Sequence, residues 1–139
     1  ESGIVEGFAA AFPDETSPHA WLSRDPEEIS KYEQDPWCGY ALCAGAWQDL
    51  MSAMVVTSEI SAVAAGVRKS LPIYMLSGSE DPVHNSWQAI DRIAGNYRQC
   101  GLEDITIKRY DGGRHEMFNE TNRDEVAADL LQWLAAKLA

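Results

Sequence analysis

Two short segments hold the side chains best suited to chemistry. The first is GSEDPV at 78–83, where Asp81 follows an apolar run. The second is GGRHEMFNE at 112–120, where His115 follows a second strand-like run and a pair of glycines. A carboxylate at the end of one strand can accept a hydrogen bond from an imidazole at the end of the next. Such an acid fixes the imidazole's tautomer and stabilises the imidazolium that forms when the ring takes a proton. Asp81 is therefore a candidate acid and His115 a candidate general base. Singly, each has a plainer reading: Asp-Pro is a common turn signal, and a His in a Gly-rich loop is commonly a surface residue. His84, three residues past Asp81, reads either as lining a pocket or as a solvated loop residue. Glu116 and Glu120 flank His115 and read either as ordering its loop or as capping and surface groups.

The elements that must position this pair lie in the second half of the chain. Leu71-Pro72-Ile73-Tyr74-Met75-Leu76, ended by Ser77-Gly78, is a continuous apolar run that predicts a strand buried on both faces, as in a parallel sheet. A helix is predicted next, with Asn85 as its cap and Gln88 at capping-box spacing. Trp87, Ile90, Ile93, Ala94 and Tyr97 form its buried face, and Gly101 is its stop. Ile105 and Ile107 alternate with polar residues up to Tyr110, a strand pattern. From about Thr121 a last helix is expected to bury Val126, Leu130, Trp133, Leu134 and Leu138. Strand–helix–strand over this length implies a parallel βαβ unit and an α/β fold class.

Residues 1–66 have a different texture, with no strand-like run bounded by turns. Asp25-Pro26-Glu27-Glu28 is a helix start with a cap, a proline at the first position and a box residue, and Asp35-Pro36 ends that helix. Residues from about Tyr40 to Ala65 predict one long or two shorter helices. The chain thus divides into a helical segment at 1–66 and a βαβα segment at 67–139. Two parallel strands cannot cover their own faces and edges with these helices, so they read as part of a larger sheet.

Bulk properties narrow the function classes. A net charge of −11 repels phosphate backbones, which argues against a nucleic-acid partner. Three cysteines without a CxxC argue against a disulfide framework or a zinc site; no metal and no cofactor are expected. The thiols suit a reducing compartment, and with no recognisable leader a cytoplasmic location is expected. No apolar stretch reaches membrane-spanning length.

GSEDPV and GGRHEMFNE resemble the Asp and His motifs of the lysophospholipase or monoacylglycerol-lipase-like α/β-hydrolases, the serine aminopeptidase-like group. WLSRDPEEI at 21–29 and DPWCGY at 35–40 resemble the cap segment of bacterial members, and YDGGRHEMFNETNRDEV at 110–126 is similar nearly residue for residue. The resemblance runs from about Phe12 to the C-terminus. It implies the C-terminal part of an α/β-hydrolase fold, the last parallel strands with flanking helices, preceded by a helical cap. It implies Asp81 as triad acid and His115 as base in the chain order Ser…Asp…His. It also implies an acyl-ester or lipid-like small-molecule substrate, with Trp37, Leu42, Trp47, Met51, Val83 and His84 as contacts. Trp and Met at helical spacing also read as packing.

One part of the family pattern is missing. None of the eleven serines has glycine at both −2 and +2, and no cysteine fits a nucleophile elbow. The nucleophile and the oxyanion loop are therefore expected on an N-terminal half of the same hydrolase, which would be the main partner. A homo-oligomer that buries the sheet edge is the other way to cover the strands. The activity expected is carboxylic-ester hydrolysis by Ser–Asp–His acyl transfer. The alternative is a truncated, non-catalytic homologue that binds or dimerises. A hydrolase-fold enzyme with an Asp nucleophile is a third reading.

Overall fold

The structure is a computed structural model that describes residues 7–138. The first six residues of the expected cap segment, and Ala139, lie outside the described residues. The helices are α1 (Pro26–Gln34), α2 (Ala44–Ser58), α3 (Ile60–Gly66), α4 (Gln88–Gln99) and α5 (Arg123–Leu138), and the strands are β1 (Ile73–Gly78) and β2 (Ile105–Tyr110). β1 and β2 pair in parallel, from Ile73 opposite Ile105 to Gly78 opposite Tyr110. The connection through α4 makes the expected strand–helix–strand unit.

Helices lie on both faces of this sheet, which suits the continuous apolar run of β1, while β2 alternates Ile105 and Ile107 with Thr106 and Lys108. On one side, Val63 of α3, Cys100 and Leu102 form a core with Ile73, Ile105 and Tyr97. On the other, Val126 of α5 meets Tyr110, Met117 and Leu76. Further along α5, the Trp133 ring lies 5.2 Å from that of Tyr74, and its Nε1 donates to Thr106 Oγ1 at 3.0 Å. Asp129 accepts from the Tyr110 hydroxyl at 3.0 Å and pairs with Lys108 at 2.8 Å. Burial and these hydrogen bonds push the Tyr110 phenol well up from its ordinary range.

Several details depart from the sequence reading. Asn85 does not cap α4. Asn85, Ser86 and Trp87 all take left-handed backbone angles, with φ of 48°, 54° and 76°, so the helix starts only at Gln88. The Asn85 side chain instead donates to Gln88 Oε1 at 3.5 Å. At α1, Asp25 does cap, accepting from the Glu27 amide at 3.0 Å, but Glu28 turns to Lys31 at 2.6 Å rather than closing a box. The Asp25 amide is taken by Ser23 Oγ at 2.9 Å. On α5, Val126 is buried, but Leu134 and Leu138 are exposed. The same holds along the sheet: Ile73 to Leu76 are half-buried, and only Ser77 and Gly78 of β1 are fully covered.

The apolar segment 40–65 forms two helices, α2 and α3, broken at Glu59, whose ψ of 126° is extended. α2 carries apolar side chains all round and leaves Leu50, Met51, Met54 and Val56 exposed. Among the described residues, no helix is long and apolar enough to cross a membrane.

Candidate active site

Both strands end at the same level, and the loops that follow are clipped together. The Ser79 amide donates to the Tyr110 carbonyl at 2.8 Å, and the Glu80 amide to the Gly113 carbonyl at 2.9 Å. Gly78 permits this approach: a Cβ there would lie 2.0 Å from the Gly113 oxygen and 2.5 Å from that of Arg114. Gly112, at φ +71°, turns the second loop tightly enough to present His115.

Asp81 and His115 meet across these loops. His115 Nδ1 lies 3.0 Å from Asp81 Oδ2. Asp81 is buried, while the His115 side chain keeps 38% of its surface exposed. Asp81 Oδ1 accepts from the Val83 amide at 2.9 Å, and Oδ2 also accepts from Ser77 Oγ at 3.3 Å. The carboxylate is thereby fixed from three directions. With Nδ1–H turned to Asp81, His115 Nε2 is the nitrogen left to act as base, and it has no hydrogen-bond partner among the described residues. Burial works against the charge on Asp81. The hydrogen bonds from His115 and the Val83 amide, with the His115 charge, outweigh it and hold the carboxyl below its usual range. The hydrogen bond to Asp81 raises His115 above the ordinary 6.5, against desolvation and with help from the Asp81 and Glu116 charges. An acid held ionised beside a base whose cation is stabilised is the electrostatic arrangement that general-base catalysis by an imidazole requires.

The His115 loop is held from below by Glu120, which is fully buried. Its oxygens accept from the amides of Arg114 (2.9 Å), Arg24 (3.1 Å) and Thr121 (3.0 Å) and from Arg24 Nε (2.8 Å). Burial raises the Glu120 carboxyl, but these donors together hold it below its ordinary range. Segment 20–24 forms the other wall. The His115 and Glu116 amides donate to the Trp21 and Leu22 carbonyls at 3.3 and 2.8 Å, and Ser23 Oγ donates to the Asn119 carbonyl at 2.8 Å. The Arg114 guanidinium reaches the Ala20 and Ser23 carbonyls at 2.7 and 3.1 Å. These hydrogen bonds cross the division drawn at residue 66. Trp21, Arg24 and Ser77, which no motif chemistry singles out, also belong to the candidate site. Glu120, for which two readings stood open, orders the loop.

The other candidate residues are placed as follows. His84 is buried, its Nε2 donating to the Gly78 carbonyl at 2.8 Å and its Nδ1 accepting the Trp87 amide at 2.9 Å. Both nitrogens are thus occupied. It lines an open recess of about 510 Å³ beside Asp81, together with Phe12, Ser79 and Glu80. Val83 contributes its amide to Asp81, and its side chain is exposed. Trp37 is 83% exposed, Leu42 and Met51 are exposed, and Trp47 is half-buried. None of these five is in the lining of that recess. Glu116 accepts from Asn119 Nδ2 at 2.7 Å. Among the described residues, no cluster of His, Cys, Asp and Glu is arranged to hold a metal ion.

A family model described as serine aminopeptidase, S33 matches residues 6–122, which include both loops. The chain belongs to that family. It is an α/β-hydrolase of the lipase-like kind, and its parallel strand pair with helices on both faces is part of that fold. The chain is 30% identical over 140 residues to a monoacylglycerol lipase of Mycolicibacterium smegmatis, covering 97% of the chain and 45% of the lipase. Its fold matches the crystal structure of a highly thermostable carboxyl esterase from Bacillus coagulans in complex with glycerol. The TM-score is 0.83 at 23% identity, over 96% of the chain and 43% of the esterase. The chain thus spans less than half the length of both relatives.

Proposed function

We propose that this chain supplies the acid and the base of a carboxylic-ester hydrolase, and that a serine outside these 139 residues supplies the nucleophile. The observation that carries the reading is the 3.0 Å contact of His115 Nδ1 with Asp81 at the ends of adjacent parallel strands. His115 Nε2 takes the proton of the serine as its oxygen attacks the ester carbonyl. Asp81 holds the ring and balances the imidazolium. His115 then returns the proton to the leaving alcohol. In the second half-reaction it activates water, which releases the acid. The oxyanion is held by backbone N–H groups of the serine-bearing segment.

The substrate is an acyl ester of the monoacylglycerol or lysophospholipid kind, supported by the lipase relative. Residues 1–66 act as a cap, with the apolar groups of Trp37, Leu42, Trp47 and Met51 toward the acyl chain and Val83 and His84 at the pocket mouth. The partner is the N-terminal half of the same hydrolase. The half-exposed sheet and the exposed Leu131, Leu134 and Leu138 of α5 support this, because apolar area left in water forgoes about 25 cal/mol per Å².

The test is hydrolysis of p-nitrophenyl esters by this chain together with a segment bearing G-x-S-x-G. Turnover should appear only in the combination, and His115→Ala should reduce it by several orders of magnitude. Turnover unchanged by His115→Ala would sink the reading in favour of a non-catalytic module.

A further inference from the structure

Trp21 touches His115 twice, and the triad accounts for neither contact. The two rings lie 5.2 Å apart, tilted by 42°. The Trp21 carbonyl also accepts the His115 amide at 3.3 Å. One residue therefore holds both the backbone and the ring of the candidate base. Trp21 is buried, with Phe8 against it at 5.0 Å and Leu22 and Ile29 in the same small core. Its indole N–H has no hydrogen-bond partner among the described residues. A buried donor without an acceptor is costly, and Phe or Leu would give apolar packing without that cost. What Trp adds is the aromatic face most attractive to a cation. The ring it meets becomes a cation in the reaction proposed above.

We propose that Trp21 is a positioning residue for His115, its indole holding the imidazole in line with Asp81 and favouring the imidazolium. The inference rests on the reading of His115 as the general base. Other groups act on the same ring. Asp81 faces it from the loop after β1, and Glu116 from its own loop. His84 acts on Asp81, and Cys38, after α1, is near enough to feel Glu116. Arg114, next in the chain, turns its guanidinium away to the Ala20 and Ser23 carbonyls and to Glu15. Arg24, on Trp21's own segment, is paired with Glu120. Trp21 is the aromatic contact of the His115 ring among the described residues, and its removal leaves all these charges in place.

The experiment compares Trp21→Leu and Trp21→Phe in the protein joined by its serine-bearing segment. Two readouts are taken: the NMR titration of the His115 imidazole, and ester turnover against pH. In the Leu variant, the His115 midpoint and the acid limb of turnover should both move lower by about half a pH unit. The turnover number should fall about tenfold, with KM little changed. Phe, which keeps a ring, should restore most of both. If Leu prevents folding, Trp21→Met, whose unbranched chain adapts to irregular gaps without a ring, gives the same comparison. An unmoved midpoint and acid limb in a folded Leu or Met variant would reduce Trp21 to packing and overturn the proposal. A loss in the Phe variant as large as in Leu would do the same. Failure of the triad reading looks different: no variant turns over, yet the His115 titration still moves when Trp21 is replaced.

Discussion

Replacing Glu120 tests whether the His115 loop is held by one buried carboxylate. Glu120→Ala removes the acceptor of the Arg114, Arg24 and Thr121 amides and of Arg24 Nε. The Arg114 amide lies in a buried hydrogen bond, and an orphaned buried donor costs about 1–3 kcal/mol. The two other amides lie in half-buried hydrogen bonds, and the Arg24 side chain is 31% exposed, so these groups recover water and cost about 0.5–1 kcal/mol each. Relief of the carboxylate's own desolvation offsets part of this. The net loss should be about 3 kcal/mol, the lower end of the range for removing one partner of a buried ion pair. Glu120→Gln is the sharper variant. Oε1 receives the Arg24 and Arg114 amides, and Oε2 receives Arg24 Nε and the Thr121 amide. Either orientation of a Gln amide therefore sets its NH₂ against two donors, and Gln should cost nearly as much as Ala. Urea denaturation of the protein joined by its serine-bearing segment measures the loss, and turnover should fall with it as His115 leaves its position. A Gln variant within about 0.5 kcal/mol of the parent would refute the account, since surface substitutions fall in that range.

Gly78→Ala should destabilise by about 3 kcal/mol or more, because its Cβ would sit 2.0 Å from the Gly113 oxygen, a backbone atom that cannot swing aside; thermal denaturation reads it. Asp81→Asn should lower kcat by about 10³–10⁴-fold while leaving substrate binding nearly intact, as expected when the tautomer is lost but the shape is kept; steady-state ester kinetics check it. A base acts in its neutral form, so turnover should rise with pH through a midpoint above the ordinary 6.5, because the bond to Asp81 raises His115. The stability that His115 gains from the pair runs the other way: while Asp81 is ionised it is full below the ordinary imidazole range, and it is lost as pH rises through the raised folded-state value, which denaturation at stepped pH would follow.

Much of the site was legible because its signals are local. A continuous apolar run ended by Ser77-Gly78 and an alternating run ended by Tyr110 and two glycines mark parallel strands. The next chemical side chains after such strands are placed by topology. What was not legible is held together by groups without a sequence signature. Segment 20–24 grips the His115 loop mainly through the carbonyls of Ala20, Trp21, Leu22 and Ser23, more than 90 positions away in the chain. Any residue type offers a carbonyl. Asn85 misled for another reason: its type suits a cap and a left-handed turn equally, and the neighbouring left-handed residues decided for the turn. On α5, periodicity identified the apolar stripe but could not say how much of it this chain covers, hence Leu134 and Leu138 in solvent. His84 read either as a pocket-lining or as a solvated loop residue; it lines the recess, and its buried ring also ties Gly78 to Trp87, which no spacing announces.

The most direct measurement is covalent labelling by a fluorophosphonate probe, followed by intact mass of each polypeptide. No label is expected on these 139 residues alone. In the combined protein, one label should appear on the serine of the added segment, and His115→Ala should abolish it. A label on any of the eleven serines of this chain, or labelling indifferent to His115, would contradict this reading.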